Sequence, residues 1–189
     1  MATFPTWIEK IAPNERTTRP AMRRIVTTAE RPDLAPVVAS WLWDSFARAR
    51  GRSFEETLEA VQASVTASSM PKTFVLLVDG RPVGTASLAE QDLETRPDLT
   101  PWLAAVFVEP ESRGRGLAAD LIAAVEDECR KRSIPTLWLY TRTAERVYGR
   151  AGWRTVETVA HNGKTYALMR RELQTGVETG ACDRGRNGT

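Results

Sequence analysis

The densest run of chemically useful residues is Val106-Phe-Val-Glu-Pro-Glu-Ser-Arg-Gly-Arg-Gly-Leu-Ala-Ala119. A continuous apolar stretch, Trp102 to Val108, stops at Pro110, and two glycines then open a segment whose Leu117, Leu121, Val125 and Cys129 recur at helical spacing. Glycines at a strand-to-helix turn let several backbone N–H groups converge, and a helix N-terminus carries partial positive charge. Arg113 and Arg115 add full charges, so the minimum chemistry of this turn is to hold an anion such as a diphosphate. Taken alone, an Arg-Gly-Arg-Gly tetrad is equally compatible with a basic surface turn.

The same letters, Gly114-x-Gly116-x-x-Ala119, loosely match a dinucleotide fingerprint. In that fold the glycines follow the strand almost directly and an acidic residue ends the next strand. Here residues 109–113 intervene, and the next strand ends Leu139-Tyr140-Thr141. Too little chain remains downstream for a doubly wound sheet, which argues against a nucleotide-dependent oxidoreductase.

The surrounding pattern supplies the elements that must hold this turn. Residues 1–20 read as a loose, proline-bracketed leader, 21–173 as one domain and 174–189 as a disordered tail lacking periodic apolar residues. A strand is expected at about Arg23 to Thr27. A helix follows from Leu34, with Val37, Val38, Trp41, Leu42 and Phe46 inward and Gly51 beyond its end. Trp41 and Trp43 lie about 200° apart on a helical wheel, so both cannot face inward. This puts Trp41 in the core and Trp43 in a satellite contact or a homodimer surface, with the acceptor cleft as the other place for one of them.

Ser53-Phe-Glu-Glu56 is a capping box opening a second helix. Asp79-Gly80 and Asn162-Gly163 are hairpin turns, joining Thr73–Val78 to Arg81–Leu88 and Arg154–Ala160 to Lys164–Arg171. Between them, a buried strand over Trp102–Val108, a helix with charged residues on its outer face, a strand over Thr136–Tyr140 and a short helix over Ala144–Arg150 complete an α/β (α+β) domain with about four helices.

Composition narrows the function classes. The 189 residues carry 26 Lys plus Arg against 24 Asp plus Glu, too even a balance for a nucleic-acid footprint. Cys129, Cys182 and His161 form no metal-ligand cluster. The first residues have no secretory pattern and no stretch is long and apolar enough to span a bilayer, so a cytoplasmic protein without membrane partners is expected.

Arg113-x-x-Gly116-x-Ala118 after a Val-x-Pro strand exit resembles the acyl-CoA signature of the GCN5-related N-acetyltransferase (GNAT) family. Val147-Tyr148-Gly-Arg-Ala-Gly-Trp153 is similar to that family's tyrosine followed by a Gly-aromatic pair, and the order of elements over about 22–172 agrees. Ala118 stands where a second glycine is frequent, an exchange the pattern permits.

The resemblance implies a single mixed sheet splayed between the fourth and fifth strands, with acetyl-CoA as acyl donor lying in the gap and no metal. It implies that backbone groups of Val106 and Val108 pair with pantetheine and that Phe107 sits beside the thioester. Arg113 and the amides of Gly114, Arg115, Gly116, Leu117, Ala118 and Ala119 would hold the diphosphate. An N–H between Val106 and Val108 would face the developing oxyanion, a contribution often worth about 3 kcal/mol.

A phenol of pKa about 10 within hydrogen-bond reach can protonate a thiolate of pKa about 8.5, which suits Tyr148 as general acid. Glu90 and Asp92, with Glu94, precede the central strand on the acceptor side and are candidates to accept a proton from an amine or to orient it. Such an acidic cluster suggests a cationic acceptor: a polyamine, an aminoglycoside or a lysine side chain. Solvated loop charges are the plainer account, and His161 is expected to face solvent. Cys129 on a buried stripe and Cys182 in the tail lack activating partners, so direct transfer in a ternary complex is expected, not an acetyl-cysteine. The alternative is an acyl-CoA-binding sensor or interaction module without turnover.

Overall fold

A computed structural model describes residues 20–66 and 70–174. The proposed leader and tail therefore fall, apart from Pro20 and Gln174, outside the described residues. Seven strands, β1 (Arg23–Thr27), β2 (Lys72–Val78), β3 (Arg81–Ala89), β4 (Trp102–Val108), β5 (Thr136–Thr141), β6 (Arg154–His161) and β7 (Lys164–Glu172), form one sheet in the order β1-β2-β3-β4-β5-β7-β6. Only β4 and β5 run parallel; every other neighbouring pair is antiparallel. Four α-helices flank the sheet: α1 (Ala35–Leu42), α2 (Phe54–Thr66), α3 (Leu117–Lys131) and α4 (Glu145–Arg150).

Local chemistry explains several of these boundaries. Asp79 and Gly80 take φ of 51° and 83°, and Asn162 and Gly163 take 49° and 68°, the positive values a two-residue hairpin turn needs. The capping box forms as the sequence indicates: the Ser53 N–H donates to Glu56 Oε2 (2.7 Å) and the Glu56 N–H to Ser53 Oγ (3.1 Å). The helix after Leu34 does not run regularly to Gly51. α1 ends at Leu42, residues 43–47 widen into a π-helical turn and 48–50 tighten into a 3-10 turn. That change of pitch turns Phe46 outward, 38% exposed, where an unbroken helix would have buried it.

α3 lays Leu117, Leu121, Val125 and Cys129 against one face of the sheet, all at most 1% exposed, and they meet Leu76, Leu88, Leu103, Leu137, Leu139 and Met169. Fully burying each such side chain contributes about 1.5–3 kcal/mol, so this contact fixes α3 and the turn before it. Not all the charged residues of α3 lie on a solvated face. Glu126 and Glu128 are buried and neutralised by Arg130 (3.0 Å), Lys72 (2.9 Å) and Arg132 (2.6 Å).

On the opposite face, α1 and α2 cover β1 and β2 through Val26, Val38, Val61, Val75 and Leu77. The stretch between β3 and β4 also folds back there, burying Leu93 and Leu99 against Trp102 and Leu168. No helix among the described residues is long and apolar enough to cross a membrane.

The feature that creates a site is the failure of β4 and β5 to stay together. They register only at Trp102↔Trp138, where the Trp138 N–H donates to the Pro101 carbonyl (3.0 Å). β5 then stays with β7 as far as Thr141. From Leu103 to Val108, β4 therefore has no strand on that side among the described residues, and its backbone groups there face a gap.

Candidate functional site

At the mouth of the gap, Pro110–Ser112 form a 3-10 turn and Arg113 is extended. Gly114 (φ 75°) and Gly116 (φ 77°) then turn the chain into α3. These values are costly for residues with a Cβ. From Gly114 to Ala118 no backbone N–H has an acceptor among the described residues, whereas that of Ala119 donates to the Gly116 carbonyl (3.0 Å). Ala119, expected among the diphosphate ligands, thus has its amide engaged in the first helical turn.

Val108, Arg113, Gly114, Gly116, Leu117 and Ala118 line a cavity of about 190 Å³. A Cβ at either glycine would meet nothing within 4 Å, so the space above the turn is open. Arg113 donates Nε–H to the Val108 carbonyl (2.9 Å). Its guanidinium is thereby held at the cavity wall, and its terminal N–H groups have no acceptor among the described residues.

A contact that sequence reading missed completes the charge balance. Asp120, in the first turn of α3, would repel an anion at the helix end, but Arg23 of β1 pairs with it (2.8 Å) and also donates to the Arg115 carbonyl (3.1 Å).

Deeper in the gap, Thr85 faces Phe107 and Ser87 faces Ala104. Both Ala105 and Val106 therefore stand opposite Ala86 alone. This is a β-bulge, and Ala105 adopts φ 55° within it. The extra residue breaks the ladder and re-aims backbone amides. Val106 and Val108 pack toward α3. Phe107 points the other way and stacks on Trp41 of α1, ring centroids 5.4 Å apart. Trp41 thus reaches the gap wall as well as the core under α1, while Trp43 packs edge-on to Phe54 and donates Nε1–H to the Arg52 carbonyl (3.0 Å).

Tyr148 lies on α4, which follows β5 almost at once, and packs edge-on against Trp153, centroids 6.0 Å apart. Burial pushes its phenol up to about 12. Its hydroxyl has no hydrogen-bond partner among the described residues.

On the face opposite α3, Asp92 is half-buried and Glu90 is exposed. Burial pushes the Asp92 carboxyl up to about 6, against the pull of the Arg50 charge. Sequence reading missed Arg50, which donates to the Tyr140 hydroxyl (3.2 Å), and missed the cluster Tyr140, Tyr166 and His161, with centroids 5.3–6.1 Å apart. His161 is part of that cluster and only half-exposed.

The raised Asp92 has a consequence for stability. An unfolded Asp ionises near 3.8, the folded one near 6, so the folded state binds the proton more tightly. Ionisation then costs the fold increasingly as pH rises from about 4 to 6, by up to about 3 kcal/mol above that window. Asp92→Asn should therefore unfold at a higher temperature than wild type at pH 8 and at nearly the same temperature at pH 4. Parallel thermal melts at the two pH values check this; equal melting at pH 8 contradicts it.

The chain belongs to the GNAT acetyltransferase family, whose model matches residues 35–153. The match ends at Trp153, before the β6–β7 hairpin that carries His161 and Tyr166. No curated protein matches the chain. Solved structures share the fold at low identity. YncA from Salmonella typhimurium, solved with its cofactor acetyl-CoA, is 16% identical with a TM-score of 0.60, covering 87% of this chain and 100% of its own. An aminoglycoside 6'-N-acetyltransferase complexed with coenzyme A is 14% identical with a TM-score of 0.64, over 79% and 96%. The ribosomal-protein-S18-alanine N-acetyltransferase from Escherichia coli is 19% identical with a TM-score of 0.59, over 84% and 98%.

Proposed function

We propose that this protein moves the acetyl group of acetyl-CoA to an amine of a small molecule or peptide, directly, within a ternary complex. The observation that carries this reading is the gap itself: an unpaired β4 edge with a bulge at Ala105, leading to a turn of unpaired amides at the head of α3. A strand edge can pair with the two amides of pantetheine as it would with another strand. Val106 and Val108 are the residues whose backbone takes that part. The cradle from Arg113 to Ala118 then takes the diphosphate, with Arg113 supplying charge.

Transfer requires the amine lone pair to attack the thioester carbon, forming the C–N bond, and the C–S bond to break. An N–H of the bulged segment near Val106 to Val108 stabilises the tetrahedral oxyanion, and Phe107 with Trp41 walls off water. The proton of the attacking amine goes to Asp92, the half-buried carboxylate of the acceptor side, with exposed Glu90 the weaker candidate. Tyr148 faces the departing thiolate as donor. A covalent acetyl-cysteine has little support, because Cys129 is fully buried and its thiol is pushed up to about 11 by that burial.

Calorimetric titration with CoA, followed by thiol release from acetyl-CoA against a panel of amines, tests the reading. CoA binding with amine-dependent thiol release and recovery of the N-acetyl product is expected. CoA binding without release for any amine would instead support the acyl-CoA sensor.

A further inference from the structure

The proposed acceptor side carries two opposite charges, neither of them held in an ion pair among the described residues. Arg50 reaches the Tyr140 hydroxyl, and Leu93, the chain neighbour of Asp92, packs in the apolar cluster that Tyr140 joins, so both charges lie beside the same tyrosine. Arg50 is anchored only by its hydrogen bond to the Tyr140 hydroxyl.

Tyr140 locates the pair in the fold. On β5, Leu137 and Leu139 are buried in the core under α3, so Trp138 and Tyr140 face the other way. β4 and β5 part at Trp102↔Trp138. Tyr140, the next residue of β5 on that face, therefore stands on the wall of the gap, on the same face of the sheet as Phe107. Its ring meets Tyr166 and His161 from the β6–β7 hairpin, giving the acceptor side an aromatic wall.

A polycation entering here would meet the Arg50 guanidinium, and a simple alkyl amine would satisfy Asp92 while leaving Arg50 unmatched. Unmatched or like charges brought together in a partly dehydrated cleft oppose binding, so such a site discriminates by charge pattern. Resting on the N-acetyltransferase reading, we infer that the acceptor is an amine bearing its own anionic group, of the amino-acid class, with its ammonium directed to Asp92 and its carboxylate or phosphate to Arg50. This differs from the cationic acceptor, a polyamine, an aminoglycoside or a lysine side chain, that the acidic loop suggested in the sequence. In the reaction the ammonium loses a proton to Asp92 and the free amine attacks the thioester. Loss of the second amine proton leaves a neutral N-acetyl group, and CoA leaves as the thiol, while the acceptor's anionic group stays unchanged on Arg50.

The test is thiol release by the full chain with matched acceptors. These are α-amino acids, their carboxamides and decarboxylated amines, aminoalkyl phosphates, and the polycations spermidine and an aminoglycoside. Acid-bearing amines should exceed their carboxamides in kcat/KM by about tenfold or more, the range of a charge-assisted contact. The two kinds of acid identify which anion is preferred. Arg50→Gln should collapse that ratio toward one, Arg50→Lys should restore part of it, and Arg50→Glu should turn the preference toward spermidine. CoA-induced thermal shifts establish that each variant is folded.

Turnover of polycations or carboxamides as fast as acids by the wild type overturns this inference and leaves the acetyltransferase reading intact. An acid-to-carboxamide ratio untouched in folded Arg50→Gln also overturns it. Absence of release with every amine, despite CoA binding, overturns both.

Discussion

Replacing Tyr148 by Phe should lower kcat on the order of a hundredfold or more, the usual weight of a positioned proton donor, while the affinity for CoA stays within about twofold. The ring would still pack edge-on against Trp153, so the folded state should be little changed. Burial keeps the phenol protonated up to about pH 12, which is the form a donor needs. It also makes complete transfer to a thiolate of pKa about 8.5, already uphill from an ordinary phenol, more so. In the proposed mechanism Tyr148 would therefore act first as a hydrogen-bond donor to the developing sulfur charge, with the proton passing over as the acetylated nitrogen releases its own. A corollary is that wild-type kcat has no falling limb from this phenol below about pH 10. Pre-steady-state measurement of thiol release separates chemistry from product release. A Tyr148→Phe enzyme with wild-type chemistry would leave the residue a packing role only.

Much of the frame was written in local signals. Asp79-Gly80, Asn162-Gly163 and the Ser53–Glu56 box each act within a few residues, and each formed as its chemistry requires. The stripe Leu117, Leu121, Val125, Cys129 was equally legible because helical periodicity reports burial directly. The glycine turn was visible for the same reason: only residues without a Cβ accept φ near 75° cheaply, and they stand where the chain must turn.

What stayed hidden depends on pairing between distant segments. The bulge at Ala105 has no sequence signature, because an alanine in a left-handed conformation looks like any other alanine in an apolar strand. It is imposed by the count of residues between Thr85↔Phe107 and Ser87↔Ala104. Arg50 reads as an ordinary basic residue in a last helical turn, since its partner Tyr140 lies on β5. Arg23 with Asp120 is another such case. The misplacement of Phe46 arose differently: a π-helical turn shifts the register by a residue without any glycine or proline to announce it. In the proposed acceptor region, then, Asp92 was legible in the sequence but the opposing charge of Arg50 beside Tyr140 was not.

Gly116→Val is expected to weaken CoA binding by at least about a hundredfold, through crowding where a ligand must sit. The residue holds φ 77° and its absent Cβ faces open space. A Cβ there would meet no protein atom within 4 Å, so the expected cost to the fold is chiefly the left-handed strain, about 1–2 kcal/mol. Its methyl groups would instead enter the cavity bounded by Val108, Arg113, Gly114 and Leu117. Strain and occlusion can be separated with a second variant. Gly80 has φ 83° and equally open surroundings, but it sits in the β2–β3 turn, away from the cavity. Gly80→Val should thus lose comparable stability and keep CoA affinity. Calorimetry on both variants decides the matter: wild-type affinity in Gly116→Val, or an equal loss in both, would remove the turn before α3 from the donor site.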